Sequence, residues 1–305
     1  MGRIGKISVS IITGFLGAGK TTFINNLLKK YPETQFALVE NEFGDVPIDK
    51  KLIKGVDASL MFELKEGCIC CTLTDEFELV LNELAERYPN TEHLLIETTG
   101  VADPVTVISP FFRDESLKNI YHLNGTICLV DAQNFDAHPG KQTSLKQIVI
   151  ADLVLVNKSE NLPEKQIQDF SKMVQKINPF CKIITTKFGG ASEIDLNSII
   201  QKEKTLFDFT NFTDSASHPT FKTRTLSFNH PLNREKFIDW ISYTLDIYKN
   251  EIYRAKGILC FENEPYEYIL QGVAGSFELV EGEDFANVKE SKLVFIGLDV
   301  PLLQY

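Results

Sequence analysis

Ile7-Ser8-Val9-Ser10-Ile11-Ile12-Thr13-Gly14-Phe15-Leu16-Gly17-Ala18-Gly19-Lys20-Thr21-Thr22 decides how this chain is to be read. Its first half is β-branched and apolar enough for a buried strand. Residues 14–21 then fit G-x-x-x-x-G-K-[ST], and Phe23/Leu27 and Ile24/Leu28 continue as an i,i+4 helical face. Strand, glycine loop and helix in this order form a phosphate cradle. Glycines let successive backbone N–H groups turn towards an anion. In that cradle Gly17, Ala18, Gly19, Lys20, Thr21 and Thr22 surround the phosphates, Lys20 lies against the β and γ phosphates, and the Thr21 hydroxyl is a Mg²⁺ ligand.

Working outward, apolar segments at Lys6–Thr13, Gln35–Val39, His93–Glu97, Gly125–Val130, Asp152–Val156 and Lys182–Thr186 predict strands. Helical patterns such as Thr21–Lys30, Asp75–Arg87 and Pro163–Ile177 lie between most of them. This alternation predicts an α/β P-loop NTPase domain built on a mostly parallel sheet, spanning residues 1–208. Residues 209–219 are rich in Thr, Ser, Asp and Asn and read as a linker. Residues 220–305 carry strand patterns at Phe221–Phe228, Glu251–Phe261, Tyr266–Val273 and Lys292–Leu298, with one helix near Arg234–Tyr248. That is a smaller α+β domain.

The 305 residues suffice for about two domains. With 31 basic against 42 acidic residues, the charge of −11 argues against nucleic acid or an anionic membrane as the main partner. No apolar run reaches bilayer-spanning length, and the N-terminus fits neither a secretory nor a myristoylation pattern. Six cysteines in such a chain do not make a disulfide scaffold, so the expected compartment is the reducing cytoplasm.

Three further segments complete the nucleotide reading. Asn157-Lys158-Ser159-Glu160 closes the strand Asp152–Val156, where an acid can accept two hydrogen bonds from guanine and adenine presents the wrong donors. Glu160 supplies that acid one methylene longer than aspartate; GTP is favoured and ATP stays open. Glu97-Thr98-Thr99-Gly100 ends another strand, and its carboxylate and the Gly100 N–H suit Mg²⁺ and the γ phosphate. Glu40-Asn41-Glu42-Phe43-Gly44 adds two more acids at a strand end. Lys20, Glu42 and Glu97 are the candidate catalytic residues, with Thr21, Glu42 and Glu97 around Mg²⁺.

Gly67-Cys68-Ile69-Cys70-Cys71 packs three thiols into four residues. Thiolates bind Zn²⁺ at about 2.3 Å, but three alone cannot close a four-coordinate structural site. An exchangeable fourth position, filled by Glu40, Glu42, Glu78, water or a partner's ligand, suits a metal that is handed on. A redox switch and three inert thiols are the competing readings; helix-start signals around Thr72–Asp75 favour an accessible loop over the second. Cys128, Cys181 and Cys260 stand singly in strand patterns as core residues, and the five histidines are scattered.

Together these segments resemble the CobW-type metallochaperone GTPases, relatives of the nickel-handling accessory GTPases of urease and hydrogenase maturation. The resemblance rests on Gly14–Thr22, Glu40–Gly44 with Asp49, Gly67–Cys71, Glu97–Gly100, Asp131 and Gln147–Glu160. Arg254–Gly257 and Val294–Gly297 extend it into the second domain. It implies a GTPase with a divalent metal, most often Zn²⁺ with Co²⁺ or Ni²⁺ as alternatives, held at Cys68, Cys70 and Cys71 with Glu40 and delivered to a client protein. The chain departs from the family in Glu160, where aspartate is usual, and in lacking a histidine-rich tract. Two other functions stay open on the residues alone: a GTP-dependent metal or redox sensor that transfers nothing, and a P-loop small-molecule kinase. In the transfer reading, Mg²⁺-GTP orders Glu40–Gly44 and, through it, the cysteine loop, and hydrolysis without a partner is slow because no arginine finger is evident.

Overall fold

The computed structural model describes residues 5–41, 61–63, 73–136, 141–196, 199, 221–284, 290–298, 300–301 and 303–305. Cys68, Cys70, Cys71, Glu42 and the linker 209–219 lie outside them. The chain divides into two compact units, Met1–Gln175 with Pro179–Lys202, and Lys176–Asn178 with Glu203–Tyr305.

The first unit runs β1 (Ile7–Thr13), α1 (Lys20–Lys30), β2 (Phe36–Asn41), β3 (Met61–Glu63), α2 (Leu73–Arg87) and β4 (His93–Thr98). It continues through α3 (Val105–Arg113), α4 (Glu115–Ile120), β5 (Tyr121–Asp131), α5 (Lys141–Ile150), β6 (Leu153–Asn157), α6 (Glu164–Ile177) and β7 (Lys182–Thr185). The seven strands form one sheet in the order β3-β2-β4-β1-β5-β6-β7, every pairing parallel. Helical crossovers cover a parallel sheet on both faces, which is why β4 and β6 are buried along their whole lengths. Phe23, Ile24, Leu27 and Leu28 of α1 pack with Ile12, Leu95, Ile127, Leu129 and Leu155 into a continuous core. Central β1 thus delivers the phosphate loop to the carboxyl edge of the sheet, between β4 and β5.

Besides shifts of one or two residues at several ends, and β3, which the sequence reading does not contain, two differences have a physical reason. β5 begins at Tyr121 rather than Gly125, because a bulge at Asn124 interrupts its pairing with β1 and scrambles the alternation. Cys181 precedes β7 instead of lying in it, although it is buried, as are Cys128 and Cys260.

The second unit contains β8 (Lys222–Phe228), α7 (Arg234–Ile247), β9 (Ile252–Cys260), β10 (Tyr266–Val273), β11 (Ser276–Asp284) and β12 (Ser291–Gly297). Its sheet has the order β11-β10-β9-β12-β8 and is antiparallel throughout. Phe237, Ile241 and Leu245 of α7 pack on Ala255, Leu259, Leu270, Leu293 and Phe295. β11 is a strand that the sequence reading did not find: it is an edge, and Val280 is 46% exposed. Among the described residues no helix is long and apolar enough to cross a membrane.

Candidate functional site

The phosphate loop is shaped by left-handed backbone at three glycines: Gly14 (φ 139°), Gly17 (φ 75°) and Gly19 (φ 101°). Two of them are also forced by contact. A Cβ on Gly14 would lie 2.2 Å from the Leu129 carbonyl oxygen, and one on Gly19 would lie 2.6 Å from the Asn157 amide nitrogen. Gly19 caps α1 without a side-chain hydrogen bond, and no acid occupies the first turn of α1. The open N–H groups and positive end of that helix are thereby left for an anion. Lys20 is buried, and its Nζ donates to the Gly14 carbonyl at 2.9 Å, so the ammonium is folded back along the loop.

The Thr21 hydroxyl donates to Glu97 Oε1 at 3.5 Å, which brings together two of the residues expected around Mg²⁺. A hydroxyl and a carboxylate at the mouth of a phosphate cradle are hard oxygen donors that fit this ion. Glu97 is register partner to Glu40 across β4 and β2, and both carboxylates are buried at the carboxyl edge. The backbone of Glu63 extends the row by pairing with Glu40. Reading the strands separately gave no sign of this alignment, because register depends on pairing and not on any local motif.

Gly100 lies against the loop itself: a Cβ there would sit 2.3 Å from the Leu16 nitrogen. Its carbonyl accepts from Gln147 Nε2 at 3.2 Å, so α5 also holds this turn. Behind it, Thr98 Oγ1 donates to Thr13 Oγ1 at 2.9 Å and locks β4 to β1 at their carboxyl ends.

On the other flank, buried Asn157 ties three segments together. Its Nδ2 donates to the Ala18 carbonyl at 2.8 Å, and its Oδ1 accepts from the Gly189 N–H at 3.0 Å. Lys158 Nζ pairs with Asp131 Oδ2 at 2.8 Å. Burial opposes the charge on Asp131, but hydrogen bonds from Asn134 and Lys158 and the Lys158 charge outweigh it and hold the carboxyl below the usual range. Ser159 Oγ donates to the Thr186 carbonyl at 3.0 Å. Glu160 Oε2 is buried and takes no hydrogen bond from the described residues.

The structure therefore gathers Gly17–Thr22, Glu97, Gly100 and Asn157–Glu160 at one edge, with Glu40 in the adjoining strand row. Asn157 serves the loop backbone directly, where the sequence reading had placed it on the nucleotide. The turn Phe188-Gly189 and its anchor Asn26 were missed; the Gly189-Gly190 dipeptide after β7 was the available signal. Among the described residues no cluster of three His, Cys, Asp or Glu side chains is placed to hold a metal ion. Burial, and to a lesser extent Cys181, raises the Cys128 thiol above its usual range, which suits an inert core residue.

A parallel sheet with a glycine cradle at the head of its central strand defines a P-loop nucleotide-binding protein. The CobW/HypB/UreG nucleotide-binding domain matches residues 8–185, and the cobalamin synthesis protein CobW C-terminal domain matches residues 221–304. The chain belongs to this family of P-loop GTPases. It is 30% identical to the zinc chaperone YjiA of Escherichia coli over 97% of this chain and 95% of that protein. Identity to zinc-regulated GTPase metalloprotein activator 1 of Schizosaccharomyces pombe is 28%, covering 90% of this chain and 77% of that one. The crystal structure of zinc-bound YjiA superposes with a TM-score of 0.68 at 25% identity, covering 98% and 96% of the two chains.

Proposed function

We propose that this chain is a GTP-hydrolysing metallochaperone that carries zinc on Cys68, Cys70 and Cys71 and passes it to a client protein. The observation that carries the nucleotide half is the junction at Asn157, where the phosphate loop, the segment Asn157–Glu160 and Gly189 meet through two hydrogen bonds. The zinc half is supported by the names of the relatives and by the three thiols that precede α2.

GTP would lie with its phosphates in the cradle of residues 14–21, Lys20 turning from the Gly14 carbonyl to the β and γ oxygens. Thr21 and Glu97, with Glu42, would hold Mg²⁺, which when bound neutralises charge on the β and γ phosphates. Gly100, pressed on Leu16 and held by Gln147, would offer its N–H to the γ phosphate. Glu160 would accept two hydrogen bonds from guanine.

The Glu40–Glu97 register supplies a physical route for coupling. Adjacent parallel strands lie about 4.8 Å apart, so the acid assigned to the zinc and the acid assigned to Mg²⁺ stand side by side. Buried like charges that close interact strongly, and a change of cation or phosphate at one alters the affinity of the other for a metal. A coupling of roughly 1–3 kcal/mol, or 5–150-fold, would be typical.

The test is metal stoichiometry on the reduced protein. One zinc per chain in the parent and none in a Cys68/Cys70/Cys71 triple alanine variant support the assignment. Equal zinc content in both removes the thiols from the site. Counting sites matters because a YjiA triple mutant has also been crystallised zinc-bound.

A further inference from the structure

Four described residues other than glycine adopt a left-handed backbone. Asn263 and Ala274 are in the tight connections joining β9 to β10 and β10 to β11, where such a backbone is ordinary. The other two, Lys158 (φ 57°) and Phe188 (φ 51°), are in loops that meet at Asn157. For a bulky side chain this conformation is strained and persists only where surrounding contacts impose it.

For Phe188 those contacts are present. Asn26 Nδ2 donates to the Phe188 carbonyl at 3.1 Å and to the Gly189 carbonyl at 2.9 Å, while Asn157 Oδ1 takes the Gly189 N–H at 3.0 Å. Downstream, Lys30 Nζ and Tyr31 Oη bind carbonyls of Ser192 and Ile194 at 2.8 Å each and fix the segment to α1. The outcome of this anchoring is an aromatic ring that is 70% exposed, so no packing within the unit offsets the strain. Two residues before Phe188, the Thr186 carbonyl accepts from Ser159, and Glu160, whose Oε2 is buried without a hydrogen bond from the described residues, follows Ser159 in the chain. The loop with the strained backbone and exposed ring is thus tied to the loop of Glu160 at two points, Ser159–Thr186 and Asn157–Gly189.

We infer that Phe188 is the stacking platform for the nucleobase, with Glu160 taking the edge of the same base. The assignment rests on the nucleotide reading above and extends it to a residue outside the motif. Stacking accepts any base because every base has a π face, so Phe188 sets affinity while Glu160 sets selectivity.

The experiment measures binding of GDP and of base-less pyrophosphate to the full chain and to Phe188→Ala, Phe188→Gly and Phe188→Trp. Loss of base stacking is expected to weaken GDP about 5- to 150-fold in the alanine and glycine variants, with pyrophosphate unchanged within twofold. The glycine variant, which adopts this backbone without strain, is expected to melt no lower than the parent. The tryptophan variant should keep GDP affinity within a few-fold and change emission on GDP addition, beyond any change from Trp240 in the parent. The inference is overturned if Phe188→Ala binds GDP within twofold of the parent, or loses GDP and pyrophosphate equally. A parent that binds neither ligand would instead sink the nucleotide reading itself, a result distinct from both.

Discussion

Lys20 is a buried ammonium that donates to the carbonyl of Gly14 in its own loop at 2.9 Å. If Lys20 meets the β and γ phosphates as proposed, Lys20→Met is expected to fold but to lose hydrolysis at least about 100-fold, since one directed electrostatic contact commonly carries that much. Single-turnover GTP cleavage with circular dichroism as the folding control checks this. Asn157 behaves differently, because it joins segments rather than touching phosphate. Asn157→Ala leaves the Ala18 carbonyl and Gly189 N–H without their partner and is expected to cost about 2–3 kcal/mol of stability as well as nucleotide affinity. Denaturant unfolding without nucleotide separates the two losses; unchanged stability would return Asn157 to the ligand. The lysine was legible because the motif fixes its neighbours. The asparagine's task was not, since Ala18 and Gly189 reach it only through the fold.

Elements carry their own tests. At the turn out of β1, Gly14 has φ 139° and room for no Cβ against Leu129, so Gly14→Ala must part β1 from β5 where they diverge. A loss of about 2–4 kcal/mol in thermal or denaturant unfolding is expected. β4 begins with His93, buried and within 2.9 Å of Ser10 Oγ, and desolvation pulls its pKa from 6.5 to about 3. The unfolded chain takes up this proton below about 6.5, whereas the folded chain resists it until about 3. Stability contributed by the neutral ring is therefore full above pH 6.5 and falls as pH drops through that window, by up to about 1.4 kcal/mol per unit. His93→Phe should flatten this portion of the stability–pH curve; a parent curve that is flat between pH 6.5 and 4 contradicts the burial argument. Six of the seven parallel strands were legible as apolar runs because both faces are covered; the three-residue edge strand β3 was not. The start of β5 was hidden by its bulge, and β11 by the polar face of an edge strand, where Glu278 and Val280 alternate with Phe277 and Leu279 packed towards α7.

At the scale of the molecule, the two family domains fall in the two compact units, and the acids of β2 and β4 stand in one register row in the first. Cys68, Cys70 and Cys71 lie outside the described residues, and the zinc proposal for them rests on their spacing and on the relatives. The proposed link to the nucleotide runs through the Glu40–Glu97 register, which sequence does not display. The central claim is that nucleotide and zinc share one binding equilibrium. It is tested by competitive zinc titration of the reduced protein, nucleotide-free and with Mg²⁺ and a non-hydrolysable GTP analogue. Reciprocity requires that any factor by which the analogue changes zinc affinity also appear as the factor by which zinc changes analogue affinity. The account predicts one zinc per chain and a 5- to 150-fold shift between the two conditions. Equal zinc affinity with and without the analogue would contradict it.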